Sequence, residues 1–419
     1  MERVIKSESL RRKLSTSRQL FQAGKPVSVA QNSDSPTPVR EFLYNANAPI
    51  DLINSAFSLD GRLKTVSSSE QVQFNPYDLS VNELFDFLNN RLEPFFDLID
   101  YSLDQSTKHG FNRHGKEHVY AVTNLTAELL GKAGYDEQTI KRGLIAAMSH
   151  DIGNIISREN HEVLSALIIA EIFPELTRDT DQWDIVQDAV ILHNEPALSP
   201  LLAINDVFLP DGSVDSRHRI EFLRTAISPE AKALLIADKV QVGRIRITQK
   251  DIDHTAISED LHLLVNLMME TTQVGLSSEK QTFNWSLNFT PGIAEDEQDM
   301  IRFAKSPSGQ SRIFVPDHFH QLHRRFTVGD HQLPIDHSRS ISSAFFNLYF
   351  DKLTLTIQAI FALYPTVDMV TIEIHDYAQG AIKSGGIISE VVARDEINEA
   401  FRQWRIKYLP KSKRKNGFA

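Results

Sequence analysis

Residues 143–154 read GLIAAMSHDIGN, an apolar run that ends in an adjacent histidine and aspartate. Its apolar residues repeat with the period of an α-helix, so the stretch from about 137 to 150 is predicted to be a helix with a buried face. An imidazole and a carboxylate buried at the end of such a helix cost several kcal/mol unless each has a partner. His150 and Asp151 therefore indicate a site rather than two ordinary polar residues.

Helical periodicity continues on both sides of this run, so residues 106–250 are predicted to be mainly helical. Ser228-Pro229-Glu230 combines a hydroxyl cap, a proline and an acid, as helix starts often do. The segment 162–173 is apolar on nearly all sides, as a central buried helix would be. The predicted helices are two short ones within 82–104 separated at Pro94, then 117–134 ended by Gly134, 137–150, 162–173, 182–193, and one that starts at Pro229 and runs through ALLIADKV.

The pattern changes after residue 250. In residues 281–289 (QTFNWSLNF), large apolar side chains alternate strictly with polar ones, which predicts a strand. The other predicted elements are a helix over 258–270, a loop or linker over 304–311, a helix over 341–363 ended by Pro365, a strand around 370–374 and a helix over 394–408. The chain is therefore predicted to be mainly α, with a smaller α+β C-terminal region.

Composition excludes several classes of protein. The 419 residues carry 55 acidic and 44 basic side chains, a net charge of −11, and this balance argues against nucleic acid as a partner. The absence of cysteine excludes disulfide scaffolds, thiol nucleophiles and Cys-ligated zinc or iron–sulfur clusters. The apolar runs are too short to span a bilayer. Without an apolar signal-peptide core after Met1, a cytoplasmic location is expected.

Six residues have side chains typical of metal sites, and each lies within or at the end of a predicted helix. Side chains from separate helices can converge in the interior of a bundle. Four imidazoles with two carboxylates suit one or two ions of Fe, Mn, Co, Ni or Zn better than Mg or Ca. Any one of these histidines alone is more often a core or surface residue, so the prediction depends on the ordered set. The six are His118, His150, Asp151, His161, His193 and Asp238.

The order H…HD…D, at His118, His150-Asp151 and Asp238, resembles the HD superfamily of metal-dependent phosphohydrolases. The local strings RHGKEHVYAV, GLIAAMSHDIGN, HEVLSALIIAEIF, AVILHNE and ALLIADKV resemble the helices of that family over roughly residues 106–250. His161 and His193 resemble the additional ligands of the two-metal members. The resemblance implies an HD-type helical bundle.

Carried over to this sequence, the resemblance implies that His118, His150, Asp151 and Asp238 hold one ion and that Asp151, His161 and His193 hold a second. Asp151 would then bridge the two ions and serve as the catalytic residue. The implied reaction is hydrolysis of a nucleotide or another small phosphate ester by a metal-bound hydroxide. The resemblance gives the HD metal-binding domain (106–250). Composition predicts a disordered basic arm (1–40), and periodicity predicts a helical N-terminal extension (41–105) and an α+β C-terminal domain (251–419).

Two departures from the family pattern, together with the known range of HD proteins, keep functions other than phosphate-ester hydrolysis open. Asn154 stands where the family often has lysine after HDIG. The string HNEP lacks the second histidine and the GYP segment of relatives that hydrolyse cyclic dinucleotides, so that substrate class is not supported. Some HD proteins with a similar ligand set are di-iron oxygenases. A non-catalytic ligand-sensing or scaffold protein with a structural metal site is a third alternative.

Residues for binding the substrate are indicated more weakly. A phosphate needs compensating positive charge or hydrogen-bond donors, and guanidinium groups supply both. His114 is expected to be a surface residue, with a spare ligand or a proton shuttle as the alternatives. A loop is expected, ahead of a metal site, for the cluster of His318, His320, His323, His331 and His337. A homo-oligomer is compatible with the sequence. The substrate-binding candidates are Asn154, Arg158, Lys239 and Arg244.

Overall fold

Ten helices and six strands occur in the residues that the computed structural model describes, which are 74–105, 114–243, 269–277, 281–289, 327–328, 331–332, 341–376 and 386–409. The contacts divide the chain into two units. The first unit contains the described residues up to Asp206 and the segment Phe222–Asp238. The second unit contains Val207–Glu221 and the described residues from Lys239 onward. The helices are α1 Val81–Gln105, α2 Lys116–Lys132, α3 Glu137–Ser149, α4 His161–Ile172, α5 Thr180–Leu192, α6 Glu195–Asn205, α7 Ser216–Ala226, α8 Pro229–Val240, α9 Ile341–Leu363 and α10 Ile397–Tyr408.

The first helix is continuous, so the prediction of two short helices separated at Pro94 is wrong. Pro94 lies inside α1, where it removes one backbone hydrogen bond and costs about 3 kcal/mol. Burial of apolar side chains on both sides of the proline offsets this cost. The fully buried side chains of α1 are Leu84, Leu88, Leu92, Phe95, Phe96, Leu98 and Ile99.

The helix α3 lies at the centre of the first unit, where it contacts α1, α2 and α5. Asp136 caps its first turn by accepting a hydrogen bond from the backbone N of Thr139 at 2.8 Å. Every residue from 143 to 151 is buried. Arg142 ties α3 to α8 and α5, because its guanidinium donates to Glu230 at 2.6 Å and to Gln182 at 2.7 Å. The central position therefore belongs to α3 rather than to α4, which is only partly covered.

Several predicted helix ends are confirmed. Gly134 has φ +79°, the left-handed conformation that ends helices at glycine, and it follows Ala133, the C-cap of α2. The helix α8 begins at Pro229 as predicted. Two helices were not predicted. α6 contains two prolines, at its start and inside it, and shows no clear apolar period. In α7 polar residues dominate, although its few apolar side chains share one face.

The second unit contains a four-stranded sheet with strand order β1-β2-β5-β6. Its strands are β1 Met269–Ser277, β2 Thr282–Phe289, β5 Met369–Asp376 and β6 Gly386–Ala393, while β3 Thr327–Val328 and β4 His331–Gln332 form a separate pair. β2 pairs parallel with β5, and the other neighbours in the four-stranded sheet are antiparallel. Parallel neighbours require a crossover connection, and the connection from β2 to β5 includes α9.

The alternating stretch that predicted a strand forms β2, and Phe283, Trp285 and Leu287 are buried on one face. The predictions of α9 and of a strand around 370–374 are also confirmed. The predicted helix over 258–270 is wrong at its end, because β1 begins at Met269; residues 258–268 lie outside the described part. β6 was not predicted.

The C-terminal end of α9 is closed by a side chain rather than by a backbone turn alone. Arg394 donates hydrogen bonds to the carbonyl oxygens of Phe361, Tyr364 and Val367 at 2.7–3.1 Å. A cation at this position satisfies the last carbonyls of the helix and complements its dipole. This arginine therefore fixes the turn that leads into β5.

Some predictions fall on residues outside the described part: the arm 1–40, the linker 304–311, Arg244, and the histidines at 318, 320, 323 and 337. The predicted domain boundaries stay predictions. Among the described helices, none is long and apolar enough to cross a membrane.

Candidate metal centre

The structure brings the six predicted residues together in the first unit, each from a different point on the helices. His118 lies in the first turn of α2, His161 begins α4 and Asp238 lies in the last turn of α8. His150 and His193 follow the last residues of α3 and α5. The six residues are at most 6% exposed. The ends of five helices thus converge on one buried point.

The ligand-type atoms form two groups that share Asp151. His118, His150, Asp151 and Asp238 make the first group, and Asp151, His161 and His193 make the second. Within each group, one nitrogen or carboxylate oxygen from every residue lies within 4.8 Å of the others. Oδ2 of Asp151 lies 3.0 Å from Nε2 of His150. Oδ1 of the same carboxylate lies 3.2 Å from Nε2 of His161. Each group is therefore compact enough to hold one ion.

Three of the rings are held in a defined tautomer by backbone carbonyls. Nδ1 of His150 lies 2.7 Å from the carbonyl oxygen of Ala147, and Nδ1 of His193 lies 2.5 Å from that of Val190. Nδ1 of His161 lies 3.1 Å from a third carbonyl. Because a carbonyl oxygen can only accept, each Nδ1 carries the proton and donates it. In the neutral ring, the Nε2 lone pair is then available for a metal ion.

The electrostatics of the centre favour a cation. Burial lowers the pKa of His150, but the carboxylates of Asp151 and Asp238 more than reverse this, so its pKa is raised. Burial would raise the pKa of Asp151, but the neighbouring rings of His114 and His150 hold it well below its usual range. Burial, followed by the rings of His150 and His161, lowers the pKa of His193 well below its usual range. The centre thus offers an ionised carboxylate and a neutral imidazole side by side, a donor set that fits a divalent transition metal.

The histidine at position 114, which was expected on the surface, lies in the centre instead. His114 is 4% exposed, and its Nδ1 donates to Oδ2 of Asp151 at 2.5 Å. It packs edge-to-face on the ring of His118, with 5.3 Å between the ring centroids. The spacing of four residues that places both histidines here was visible in RHGKEH, but an isolated histidine before a helix gives no signal of burial.

The comparison with protein families agrees with this geometry. Residues 115–243 match the family model of the HD domain. This part of the chain is an HD domain. The family suggests a metal-dependent hydrolase, and the His/Asp cluster suggests divalent metal binding. No curated protein and no solved structure shows a significant match to the chain.

The HD domain places two of the four predicted substrate-binding residues beside Asp151. Asn154 is buried, and its Nδ2 donates to Oδ1 of Asp151 at 3.0 Å. Arg158 is exposed; its Nη1 donates to Oδ1 of Asn154 at 3.1 Å and lies 3.9 Å from Oδ1 of Asp151. Lys239 directly follows Asp238 and is partly exposed. Arg158 is thus the predicted cation that the structure places at the edge of the centre.

The segment from His150 to Ile155, termed the HD loop, is held against α4 by a glycine and a serine. A Cβ added at Gly153 would lie 2.0 Å from the backbone oxygen of His161, so only glycine fits. Oγ of Ser165 accepts from the backbone N of Gly153 at 2.8 Å and donates to the carbonyl of His150 at 2.7 Å. Ser165 gives no signal in the sequence, because a serine one turn after His161 resembles any small buried residue.

Proposed function

We propose that the chain is a metal-dependent phosphohydrolase that acts on a nucleotide or another small phosphate ester. The observation that carries this proposal is the position of Asp151, whose two carboxylate oxygens face different imidazoles, at 3.0 Å to His150 and 3.2 Å to His161. A carboxylate shared in this way suits a pair of ions that act on one phosphate group. The HD domain match over residues 115–243 supports the same class of chemistry.

The two groups of side chains divide the ligands between two ions. Neutral imidazoles and carboxylates of this kind suit Fe, Mn, Co, Ni or Zn. The first ion would be held by His118, His150, Asp151 and Asp238, and the second by Asp151, His161 and His193.

Bound divalent ions would supply positive charge to the phosphoryl oxygens and lower the pKa of water toward neutrality. The chain's own groups prepare the site for this chemistry. Backbone carbonyls hold the rings of His150, His161 and His193 with Nε2 toward the carboxylates. Such partners behind a ligand fix its orientation and tautomer. His114 and Asn154 act as positioning residues, because each donates to one oxygen of Asp151.

The substrate phosphate is proposed to meet Arg158. Its side chain is 39% exposed, whereas that of Asp151 is 2% exposed, so Arg158 is within reach of a solute that approaches the centre. The hydrogen bond to Asn154 orders the guanidinium before a substrate arrives. Guanidinium groups can bind phosphate oxygens with two parallel hydrogen bonds. Asn154 stands where the family often has lysine. It therefore connects Asp151, the proposed metal ligand, to Arg158, the cation proposed to bind the substrate phosphate.

The test combines metal analysis with a substrate screen on the full chain. The purified protein is analysed for metals and then assayed without oxygen on phosphomonoesters, phosphodiesters and nucleotides, with release of phosphate or alcohol as the readout. We expect hydrolysis that stops after chelation and returns when a transition metal is added. The variant Asp151→Asn should be inactive, whereas His218→Gln, which changes an exposed histidine of α7, should retain activity.

Two results would contradict the proposal. Protein loaded with metal that hydrolyses none of these esters would favour a sensing or scaffold role. Turnover that requires oxygen and an iron pair would favour an oxygenase on the same ligand set.

A further inference from the structure

A further carboxylate lies behind one imidazole of the metal centre. Nε2 of His161 faces Oδ1 of Asp151 at 3.2 Å, and on the other side of the ring Nδ1 lies 3.4 Å from Oε2 of Glu162. The same Nδ1 lies 3.1 Å from the carbonyl oxygen of Arg158. The ring of His161 is therefore placed between two carboxylates, one beside each nitrogen.

Glu162 is buried without the partner that such a residue needs. It is 2% exposed, whereas glutamate is almost never fully buried unless it is paired. Its Oε2 has no hydrogen-bond donor among the residues that the structure describes. Within those residues, the ring of His161 is the one ion-pair partner of Glu162. Because a buried carboxylate without a cation is costly, packing alone does not explain a glutamate at this position.

The helix that carries Glu162 does not supply the missing charge either. Glu162 lies in the first turn of α4, where the partial positive charge of the helix N-terminus favours an acidic side chain. This effect is small compared with the cost of burying an unpaired carboxylate. It is also available to an exposed acid, so it does not account for the burial of Glu162.

The position of Glu162 distinguishes one ligand from the others. Nδ1 of His150 and Nδ1 of His193 lie beside backbone carbonyls, and across the described residues neither atom forms an ion pair with a carboxylate. The acidic neighbours of His150 face its Nε2 instead. His161 belongs only to the second group of ligands. A charge behind His161 therefore acts mainly on the second of the two proposed ions.

We propose that Glu162 is a positioning residue that strengthens binding of the second ion through His161. A partner at the outer nitrogen of a ligating histidine orients the ring and raises its basicity. The negative charge of Glu162 also attracts a cation held at Nε2 on the opposite side of the ring. This inference rests on the two-ion centre of the proposed function and deepens it, because it makes the two ion sites unequal.

The role proposed for Glu162 predicts that its charge has different effects without and with metal. In the metal-free protein the carboxylate has no compensating cation, so removal of its charge should not lower stability. In the metal-bound protein the same charge favours the second ion, so its removal should weaken binding. A glutamate that only supported the fold would behave differently, because its removal would destabilise the metal-free protein.

Titration of the full chain with Zn²⁺ in competition with a chelator tests the proposal, and urea unfolding of the metal-free protein is the second readout. Glu162→Gln keeps the size of the side chain and removes its charge. We expect this variant to bind the second Zn²⁺ about 10- to 100-fold more weakly, to bind the first as the wild type does, and to be no less stable without metal. Glu159→Gln removes the same charge from an exposed residue three positions earlier and should match the wild type in each measurement.

A conservative variant separates the charge from the exact shape of the side chain. Glu162→Asp keeps the carboxylate on a shorter side chain, and it should bind the second Zn²⁺ more tightly than Glu162→Gln does. Equal affinities of Glu162→Gln and the wild type for the second ion, or no recovery in Glu162→Asp, would overturn the proposal. A metal-free Glu162→Gln that is less stable than the wild type or does not fold would also overturn it, because the carboxylate would then serve the fold.

These outcomes can be told apart from a failure of the proposed hydrolysis. Wild-type protein that binds two Zn²⁺ ions but hydrolyses no ester would contradict the hydrolase and leave the role of Glu162 intact. Hydrolysis by the wild type, together with an unchanged second-ion affinity in Glu162→Gln, would do the reverse. A wild-type chain that binds a single ion would overturn the role of Glu162, and the substrate screen would still decide whether the chain is a hydrolase.

Discussion

Asn154 donates a hydrogen bond from Nδ2 to Oδ1 of Asp151 at 3.0 Å, and the same nitrogen lies 2.9 Å from the backbone oxygen of Asp151. The residue is 2% exposed. A lysine at this position would project a charge, whereas the asparagine folds back on the aspartate of the HD pair. The departure from the family pattern is therefore a change from a cation to a support for the central carboxylate.

Asn154→Leu should weaken metal binding about 10- to 100-fold, the usual effect of removing a partner behind a ligand. The leucine has a similar size but donates to neither oxygen of Asp151, and Arg158 loses its acceptor. Competition with a chelator measures the metal affinity. Asn205→Leu removes an amide hydrogen bond at the end of α6 and serves as the control. Equal affinities in both variants would show that the amide does not support the centre.

Asp151→Ala should lose both metal ions and lower the stability of the first unit by about 3 kcal/mol, because the remaining buried groups lose their common partner. Elemental analysis and urea unfolding measure the two effects. Asp181→Ala, which removes an exposed carboxylate from the first turn of α5, should keep its metal. Unchanged metal content in Asp151→Ala would refute the bridging role.

His193→Ala should lose one ion and keep the other, because His193 belongs only to the second group. Metal-to-protein ratios from elemental analysis should fall from two to one. His118→Ala provides the comparison, since it removes a ligand only from the first group. If either variant binds the same amount of metal as the wild type, the division into two groups is incorrect.

Gly153→Ala should destabilise the first unit by about 3 kcal/mol, the cost of overpacking a rigid interior. The added Cβ would lie 2.0 Å from the backbone oxygen of His161 and 2.7 Å from the backbone N of Ser165, so α4 has to move. Thermal unfolding and metal content measure the result. In Gly131→Ala the nearest atom is 4.0 Å away, and this variant should be about 0.5–1 kcal/mol more stable. Similar stabilities of the two variants would contradict the close approach of the HD loop to α4.

Lys232 should make stability rise with pH. Burial lowers the pKa of Lys232 to about 8 from its usual 10.5. Between these values the unfolded chain binds more protons than the folded one, so the free energy of unfolding increases with pH. Urea unfolding at pH 8 and pH 10 should show this gain in the wild type, on the order of 2 kcal/mol, and its loss in Lys232→Met. Lys132→Met changes an exposed lysine and should keep the increase in the free energy of unfolding between pH 8 and pH 10. Parallel pH curves for the wild type and Lys232→Met would refute the role of Lys232.

The sequence could predict the six residues as a set, because their order resembles that of the HD family and each lies within or at the end of a predicted helix. The apolar period defines α2, α3, α5 and α8, and the polar ligands lie within them or at their ends, where a regular pattern is interrupted. Where local patterns were weak or contradicted by packing, prediction failed. Pro94 is tolerated because α1 is buried on both sides of it, and no local rule contains that information.

Contacts between residues that are far apart in the sequence could not be predicted, for a different reason. His114 and Ser165 gain their roles from neighbours that tertiary packing brings close, at Asp151 and at Gly153. The backbone N of Ser216 in α7 donates to Oδ1 of Asn398 in α10, which lies 182 residues later in the chain. No periodicity or motif within one segment predicts such a contact.

The parallel pairing of β2 with β5 has a consequence for synthesis of the chain. Thr282 pairs with Met369, so β2 cannot acquire this neighbour until the ribosome has added more than eighty further residues. Until then, a strand with Phe283 and Trp285 exposes an open edge, the feature that promotes intermolecular association. Premature termination before Met369 should therefore yield insoluble fragments.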